Sequence, residues 1–245
     1  MVKMIYPWTM PSVSVIIPAH NEERYIEECL RSVLRASEGS LDIIVVDNAS
    51  SDQTAQRAVA FKNVRVVREE RKGTSFARQR GLDESSAEFL LFLDADSRLQ
   101  KNWVKRASSL LKDPKTVCAS GPYLCYDLPW YWNAMSLCYW WLLAFPASLL
   151  TGSVAVGGSM LIRRSALVQA GGFDTSITFF GDDTNTAKRL SCFGKVRFDP
   201  LLISYSSARR FRQEGLIKTA WTYACNYLSQ IFTGTSVTTS NRDLR

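Results

Sequence analysis

Short apolar runs that alternate with helical periodicity are the strongest constraint on the fold of this chain. In the first hundred residues, the runs at 13–17, 43–46, 64–67 and 89–93 are apolar or β-branched throughout, as strands covered on both faces must be. Helical patterns separate them. This order requires right-handed crossovers and predicts a mostly parallel central sheet with helices on both faces.

The first helical pattern is the clearest, because its apolar residues recur at spacings of three and four: Ile26, Cys29, Leu30, Val33 and Leu34. Further helices are predicted at about 54–61 and 75–83. A length of 245 residues with 46% hydrophobic and 22% charged residues is typical of one globular domain. We therefore predict a single Rossmann-like α/β domain over residues 1–245.

The charge of the chain and its cysteines limit its partners and its compartment. A net charge of +7 favours anionic partners, which include nucleic acid, an acidic membrane surface and phosphorylated small molecules. The six cysteines contain no CxxC pair, which predicts reduced thiols and no zinc site. The residues up to Pro11 lack the apolar stretch of a secretion signal, so we expect a cytoplasmic chain.

Residues 128–162 carry no charge and include Trp130, Trp132, Trp140 and Trp141. Because Pro129, Pro146 and several glycines interrupt the segment, we expect its apolar core to be shorter than the ~20 residues that a membrane-spanning helix needs. Two interpretations remain: a buried wall of a subdomain, or a surface that contacts a membrane or an apolar acceptor.

Polar residues cluster after the predicted strands, where parallel sheets bind their ligands. They are the segments 18–22 (Pro-Ala-His-Asn-Glu), 47–52 (Asp-Asn-Ala-Ser-Ser-Asp) and 94–96 (Asp-Ala-Asp). We expect all three segments to line one crevice. His20 is the only histidine, which excludes a multi-histidine metal site, and is interpreted as a loop residue near that crevice.

Three groups in these positions suit nucleotide chemistry. Asp94 and Asp96 offer two hard oxygen ligands for Mg²⁺ or Mn²⁺ if diphosphate oxygens complete the coordination, although a solvated turn has the same pattern. Asp47 can accept a hydrogen bond from a nucleobase, for example from the imide of uracil. Arg78 follows Gly73 at a helix start and can bind phosphate, the alternative being a solvated basic face.

Asp182 and Asp183 are adjacent at the predicted start of another helix. Capping of that helix is an alternative explanation for at least one of them. Crowding of like charges raises a carboxyl pKa, so one of the two is also a candidate base for a hydroxyl proton.

In chain order, these motifs resemble the inverting glycosyltransferases of family 2 with the GT-A fold. The matching segments begin at Val13, Val45, Ala77, Phe92, Gly171 and Gly181, and they extend the resemblance to about residue 200. The resemblance implies transfer of a sugar from a nucleoside diphosphate sugar, with a UDP-sugar favoured, to an acceptor hydroxyl, assisted by Mn²⁺ or Mg²⁺. It makes residues 12–125 the donor half and residues 126–230 the acceptor half.

The resemblance also implies roles for individual residues. The nucleotide pocket would be lined by Pro18, Ala19, Asn21 and Glu22, with Asp47 at the base, Arg78 near the diphosphate or ribose, and Asp94 at the ribose or metal. Asp96 would bind the metal, and Asp183, with Asp182 beside it, would supply the catalytic base.

The chain departs from the family pattern at several points. Many relatives have two acidic residues where this chain has Asp47-Asn48, and Glu-Asp where it has Asp182-Asp183. The Gln-x-x-Arg-Trp signature of processive synthases is missing, which favours a single transfer per encounter. Some relatives place a metal-binding histidine after the last strand, where this chain has Ser204-Tyr205-Ser206. We expect the nearby Arg209 and Arg210 to hold donor phosphate or an anionic acceptor instead.

Two other functions compete with glycosyl transfer. A nucleotide-sugar-binding protein that has lost transfer would keep the pocket, and a nucleotidyltransferase shares the α/β layout but usually has a glycine-rich basic loop after its first strand. The acceptor is expected to be a glycan or a lipid-linked molecule, with peripheral contact to the cytoplasmic face of a membrane and no nucleic-acid partner.

Overall fold

The computed structural model describes residues 12–36, 41–177 and 181–215, and seven further residues between 218 and 229. The two ends of the predicted domain, residues 1–11 and those after 229, lie outside the described residues, as do Phe179 and Phe180 in the segment before Gly181.

The described strands and helices follow the predicted alternation through the first half of the chain. The strands are β1 Val13–Ala19, β2 Asp42–Asn48, β3 Val64–Glu69, β4 Phe89–Leu93, β5 Arg98–Leu99, β6 Thr116–Ser120, β7 Tyr123–Cys125, β8 Ser159–Arg163, β9 Lys195–Phe198 and β10 Ser204–Ser206. The helices are α1 Ile26–Ala36, α2 Thr54–Val59, α3 Thr74–Glu84, α4 Trp103–Leu110, α5 Trp130–Tyr139, α6 Phe145–Thr151, α7 Arg164–Gln169, α8 Asp182–Ser191 and α9 Arg209–Glu214. A π-helical turn, Trp140–Ala144, joins α5 to α6.

Seven of the described strands form the central sheet in the order β3-β2-β1-β4-β8-β6-β9, and only β8 runs antiparallel to its neighbours. A smaller sheet has the order β5-β10-β7. The mostly parallel central sheet is therefore confirmed. Strand order reverses between β1 and β4, and the crevice beyond their carboxyl ends is where α/β sheets of this kind bind ligands.

Alternate residues of each central strand enter two separate cores, one on each face of the sheet. Val15 and Ile17 of β1 pack with α1 and α4, whereas Ile16 packs with α3, α7 and α8. Both faces are thus covered by helices, as predicted. In α1, the predicted apolar stripe is buried except for Leu34, which is exposed because it lies at the solvent edge of the helix.

The structure corrects one expectation for residues 128–162 and excludes one of the two interpretations of that segment. Residues Trp130–Thr151 form one continuous helical segment of 22 residues, long and apolar enough to cross a membrane by length and composition. Pro146 does not break this helix, since the π-helical turn just before it shifts the hydrogen-bond register where the missing N–H would have bonded. The segment is also no buried wall, because Trp130, Leu142, Leu149 and Leu150 are exposed.

The close contact of α3 with β1 depends on Gly81, where an added Cβ would overlap the Cγ2 methyl of Ile16. We predict that Gly81→Ala lowers the free energy of unfolding by about 1–3 kcal/mol, because the helix must move away from the sheet. Urea unfolding measures this. In an Ile16→Ala background the overlapping methyl is gone, so Gly81→Ala should lower the free energy of unfolding by less. An equal decrease in both backgrounds would contradict this account of the contact.

Candidate active site at the strand ends

Five carboxylates and two arginines meet beyond the carboxyl ends of β1 and β4. We call the carboxylates the acidic cluster: Glu22, Asp94, Asp96, Asp182 and Asp183. The arginines that link them are Arg78 of α3 and Arg209 of α9. Residues from five separate parts of the chain are thereby brought to one place, as was predicted for the segments that follow β1 and β4.

Arg78 is the link on one side of the acidic cluster. Its side chain is only 3% exposed. One guanidinium nitrogen donates to Asp182, and the other donates to Asp94 at 3.0 Å and to the carbonyl of Gly157 at 2.9 Å. Burial disfavours the charge of Arg78, but the nearby Asp182 and Asp94 outweigh it and raise the pKa of the guanidinium. The interpretation of Arg78 as part of a solvated basic face is therefore wrong.

Asp182 and Asp183 begin α8 but have different partners. Burial raises the pKa of the Asp182 carboxyl to about 6, although Arg78 acts in the opposite direction. Asp183 accepts a hydrogen bond from the Gly157 N–H at 3.0 Å and another from the Thr184 N–H at 2.7 Å. Within the described part of the chain, Asp183 accepts no hydrogen bond from an arginine, whereas Asp182 accepts one from Arg78.

Gly157 is a residue of the site that the sequence motifs did not single out. A Cβ at this position would lie 2.9 Å from the Asp183 Cβ and 3.2 Å from the Arg78 guanidinium. Only glycine therefore lets the loop before β8 bring its N–H to Asp183 and its carbonyl to Arg78. The signal available in the sequence was the pair Gly157-Gly158 directly before an apolar strand.

Arg209 links the other side of the acidic cluster. It donates to both carboxylate oxygens of Glu22, at 2.8 and 2.6 Å, and lies 3.0 Å from the Oδ2 of Asp96. The Ser206 hydroxyl donates to Asp96 Oδ1 at 3.4 Å. β10 and α9 thus place Ser206 and Arg209 against Asp96. Some members of the family that the sequence resembles have a histidine in this region.

The loops after β1 and β2 are joined by Asn21, whose Oδ1 accepts from the Ser51 N–H at 2.9 Å. Asn21 has a positive φ of 53°, which an asparagine tolerates well. Pro18 and Ala19 end β1, and Ala19 pairs in register with the buried Asp47 of β2. All of the residues predicted to line a nucleotide pocket therefore lie at this one edge of the sheet.

A divalent ion would find two carboxylates here. No group of three His, Cys, Asp or Glu side chains in the described part of the chain is arranged to hold a metal alone. The Asp94 side chain is 41% exposed, and its Oδ2 lies beside Gly158, where a Cβ would approach it to 3.3 Å. Asp94 therefore fits an ion that takes most of its ligands from donor phosphates and water, and Asp96, which now pairs with Arg209, could add a second carboxylate.

The junction at Arg78 makes a testable contribution to stability. We predict that Arg78→Met lowers the free energy of unfolding by about 3–5 kcal/mol, because Asp182 stays buried after its counter-charge is removed. Chemical unfolding monitored by circular dichroism measures the change.

The matched control is Arg68→Met, which removes an exposed arginine that pairs with Glu70 at 2.8 Å. Exposed ion pairs contribute little, so this change should stay within about 0.5 kcal/mol. If both changes lowered the free energy of unfolding by the same small amount, the ion pairs of Arg78 would not hold the site together.

The comparisons with known proteins agree with this geometry. Residues 14–171 match the family model of glycosyl transferase family 2. The chain is 36% identical over 110 residues to the glycosyltransferase AglE of Haloferax volcanii, covering 42% of this chain and 36% of AglE. It is 28% identical over 219 residues to the probable glycosyltransferase YdaM of Bacillus subtilis, covering 80% of this chain and 50% of YdaM.

A solved structure shares the fold. The mannosyltransferase PcManGT from Pyrobaculum calidifontis, in complex with GDP-Man and Mn²⁺, has a TM-score of 0.72 at 24% identity and covers 93% of this chain and 64% of that chain. This likeness confirms the predicted GT-A fold. The chain spans between about a third and a half of the length of these two curated relatives. Since the family model matches well over half of the chain, and its motifs converge on one site, the chain belongs to glycosyl transferase family 2.

Proposed function

We propose that this protein transfers a sugar from a nucleoside diphosphate sugar, with a UDP-sugar favoured, to an acceptor hydroxyl, with inversion at the anomeric carbon. The observation that carries the proposal is the acidic cluster itself. Its five carboxylates, four of them paired with Arg78 or Arg209, lie at the switch point of a mostly parallel sheet, where a ligand binds beyond the strand ends.

The edge formed by β1 and β2 is the proposed donor pocket. Pro18, Ala19 and Asn21 would line it, and Asp47 would accept a hydrogen bond from the uracil imide, which is the reason for favouring UDP. Glu22 would act through Arg209, which it holds with both carboxylate oxygens. The structurally similar PcManGT, solved with GDP-Man and Mn²⁺, supports a nucleotide-sugar donor.

Asp94 and Asp96 are the proposed metal ligands. A bound Mn²⁺ or Mg²⁺ would neutralise charge that develops on the departing diphosphate. Arg209, which lies 3.0 Å from Asp96, would supply a second positive charge on the same side. Arg78 would keep Asp94 oriented through its 3.0 Å hydrogen bond. The chain thus has two cationic groups of its own beside the proposed diphosphate position.

Asp183 is the proposed general base. The acceptor oxygen would attack the anomeric carbon from the face opposite the diphosphate, and Asp183 would take the proton of the acceptor hydroxyl. The bond to the diphosphate would break as the new glycosidic bond forms, so that the configuration inverts. Asp182 is less suited to this role, since its carboxylate is engaged by the buried Arg78.

The intact acidic cluster also weighs against the two alternatives. A protein that had only kept nucleotide-sugar binding would have no use for Asp183, held toward the crevice by the Gly157 N–H. A nucleotidyltransferase would be expected to carry a basic glycine-rich loop after β1, and this chain has Pro18-Ala19-His20-Asn21-Glu22 there.

The base assignment predicts that Asp183→Asn lowers sugar transfer about 10²–10⁴-fold, because an amide cannot accept the acceptor proton. Transfer is measured as UDP or GDP released from a panel of donor sugars in the presence of lipid and glycan extracts. Stabilisation by nucleotide should persist, because the variant leaves the donor pocket unchanged.

The control variant is Asp113→Asn, which alters an aspartate that caps a surface turn through the Lys115 N–H. It should transfer at the wild-type rate. Near-normal transfer by Asp183→Asn would refute the assignment of the base. Nucleotide binding by the wild-type protein without any turnover would instead favour the binding-protein alternative.

A further inference from the structure

The Trp130–Thr151 helix, composed of α5, the π-helical turn and α6, exposes apolar side chains over most of its circumference. Trp130 is 79% exposed and Leu150 is 88% exposed. No charged residue occurs anywhere between positions 128 and 162. A large, contiguous apolar patch on the surface of a folded domain marks an interaction site.

One narrow stripe attaches this helix to the domain. Trp140, Ala144 and Ser148 are its buried residues. The Trp140 ring stacks on Phe198 with the ring centroids 5.6 Å apart, and its indole N–H donates to the Tyr123 carbonyl at 3.1 Å. Because this stripe covers residues 140–148, the helix lies against the domain there and cannot be surrounded by lipid on all sides.

The exposed residues change type along the helix axis. From residue 130 to residue 141 the helix exposes Met135 and four aromatic residues that suit the headgroup region of a bilayer, namely Trp130, Tyr131, Tyr139 and Trp141. From residue 142 to residue 150 it exposes residues that suit the acyl chains, namely Leu142, Leu143, Leu149 and Leu150. A protein partner would not require this order, whereas a bilayer separates these residue types by depth. The net charge of +7 adds attraction to anionic lipids.

We propose that the Trp130–Thr151 helix docks at an anionic membrane surface, tilted so that its leucine part (residues 142–150) lies deeper than its aromatic part (residues 130–141). A helix of 22 residues is about 33 Å long. The predicted membrane contact of residues 128–162 thereby acquires a specific geometry, in which the helix enters the membrane surface at a tilt and does not cross the membrane.

Docking of this helix would also position the active site. Only residues 152–156 separate it from Gly157, which bonds Asp183 and Arg78. Since an extended chain covers at most about 3.6 Å per residue, the base lies within about 20–25 Å of the end of the helix. This inference rests on the proposed function in one respect: the acceptor hydroxyl would then belong to a lipid-held molecule at the same surface.

The test is flotation of the full chain with vesicles of phosphatidylglycerol and phosphatidylcholine, combined with tryptophan emission spectra. We expect binding to anionic vesicles, with a shift of emission to shorter wavelength as indole rings leave water. Leu149→Ser with Leu150→Ser should weaken binding at least about tenfold, because two side chains that would enter the acyl region become polar.

The matched control is Val59→Ser with Val168→Ser, which removes two exposed apolar side chains from other helices. Its binding should stay within about twofold of wild type. Three outcomes would overturn the proposal: no flotation at low salt, equal loss in both double variants, or self-association that the leucine changes abolish without any vesicle binding.

Stabilisation by UDP or GDP, measured on the same samples, separates this inference from the proposed function. If nucleotide stabilises a protein that does not float, only membrane docking fails. If the protein floats but no nucleotide stabilises it, the proposed function fails while the docking surface remains.

Discussion

The buried ion pairs of Arg78 are the interaction on which the active site depends. A guanidinium that is almost fully removed from water is tolerated only when charged and polar partners surround it. Here the partners come from β4, α8 and the loop before β8, so the same cation that they stabilise holds these three segments in register. The position of Asp183, next to Asp182 and bonded to Gly157, follows from that junction.

Arg209 also joins carboxylates from separate segments, on the other side of the acidic cluster. It connects Glu22 after β1 with Asp96 after β4, and so ties α9 to the loop after β1. Each arginine has one partner in the aspartate pair that follows β4. A diphosphate entering this site would meet cations that are already oriented, which lowers the cost of reorganisation during reaction. The adjoining Trp130–Thr151 helix would bring an acceptor to the same opening.

Local patterns predicted the fold and the convergence of polar residues on one edge of the sheet, for physical reasons. Apolar β-branched runs can only be buried strands, and parallel strands must bring the residues after them to one edge, so the convergence of Asp47, Asp94 and Glu22 could be read from the sequence. The ion-pair partners of Arg78 and Arg209 could not be predicted from the sequence. Their ion pairs join residues 104 and 187 positions apart, and no local pattern encodes such pairing. Pro146 was likewise misleading, because a π-helical turn accommodates it.

The most direct test of the account is the melting temperature of the protein with UDP, GDP, CMP or NAD, each with and without Mn²⁺. A ligand that binds only the folded state must raise the melting temperature, by roughly 5–10 °C at a hundred times its Kd. We predict selective stabilisation by UDP, enhanced by Mn²⁺, and loss of the Mn²⁺ effect in Asp96→Ala. Absence of a response to every nucleotide, or an equal response to NAD, would contradict a nucleoside diphosphate site at the acidic cluster.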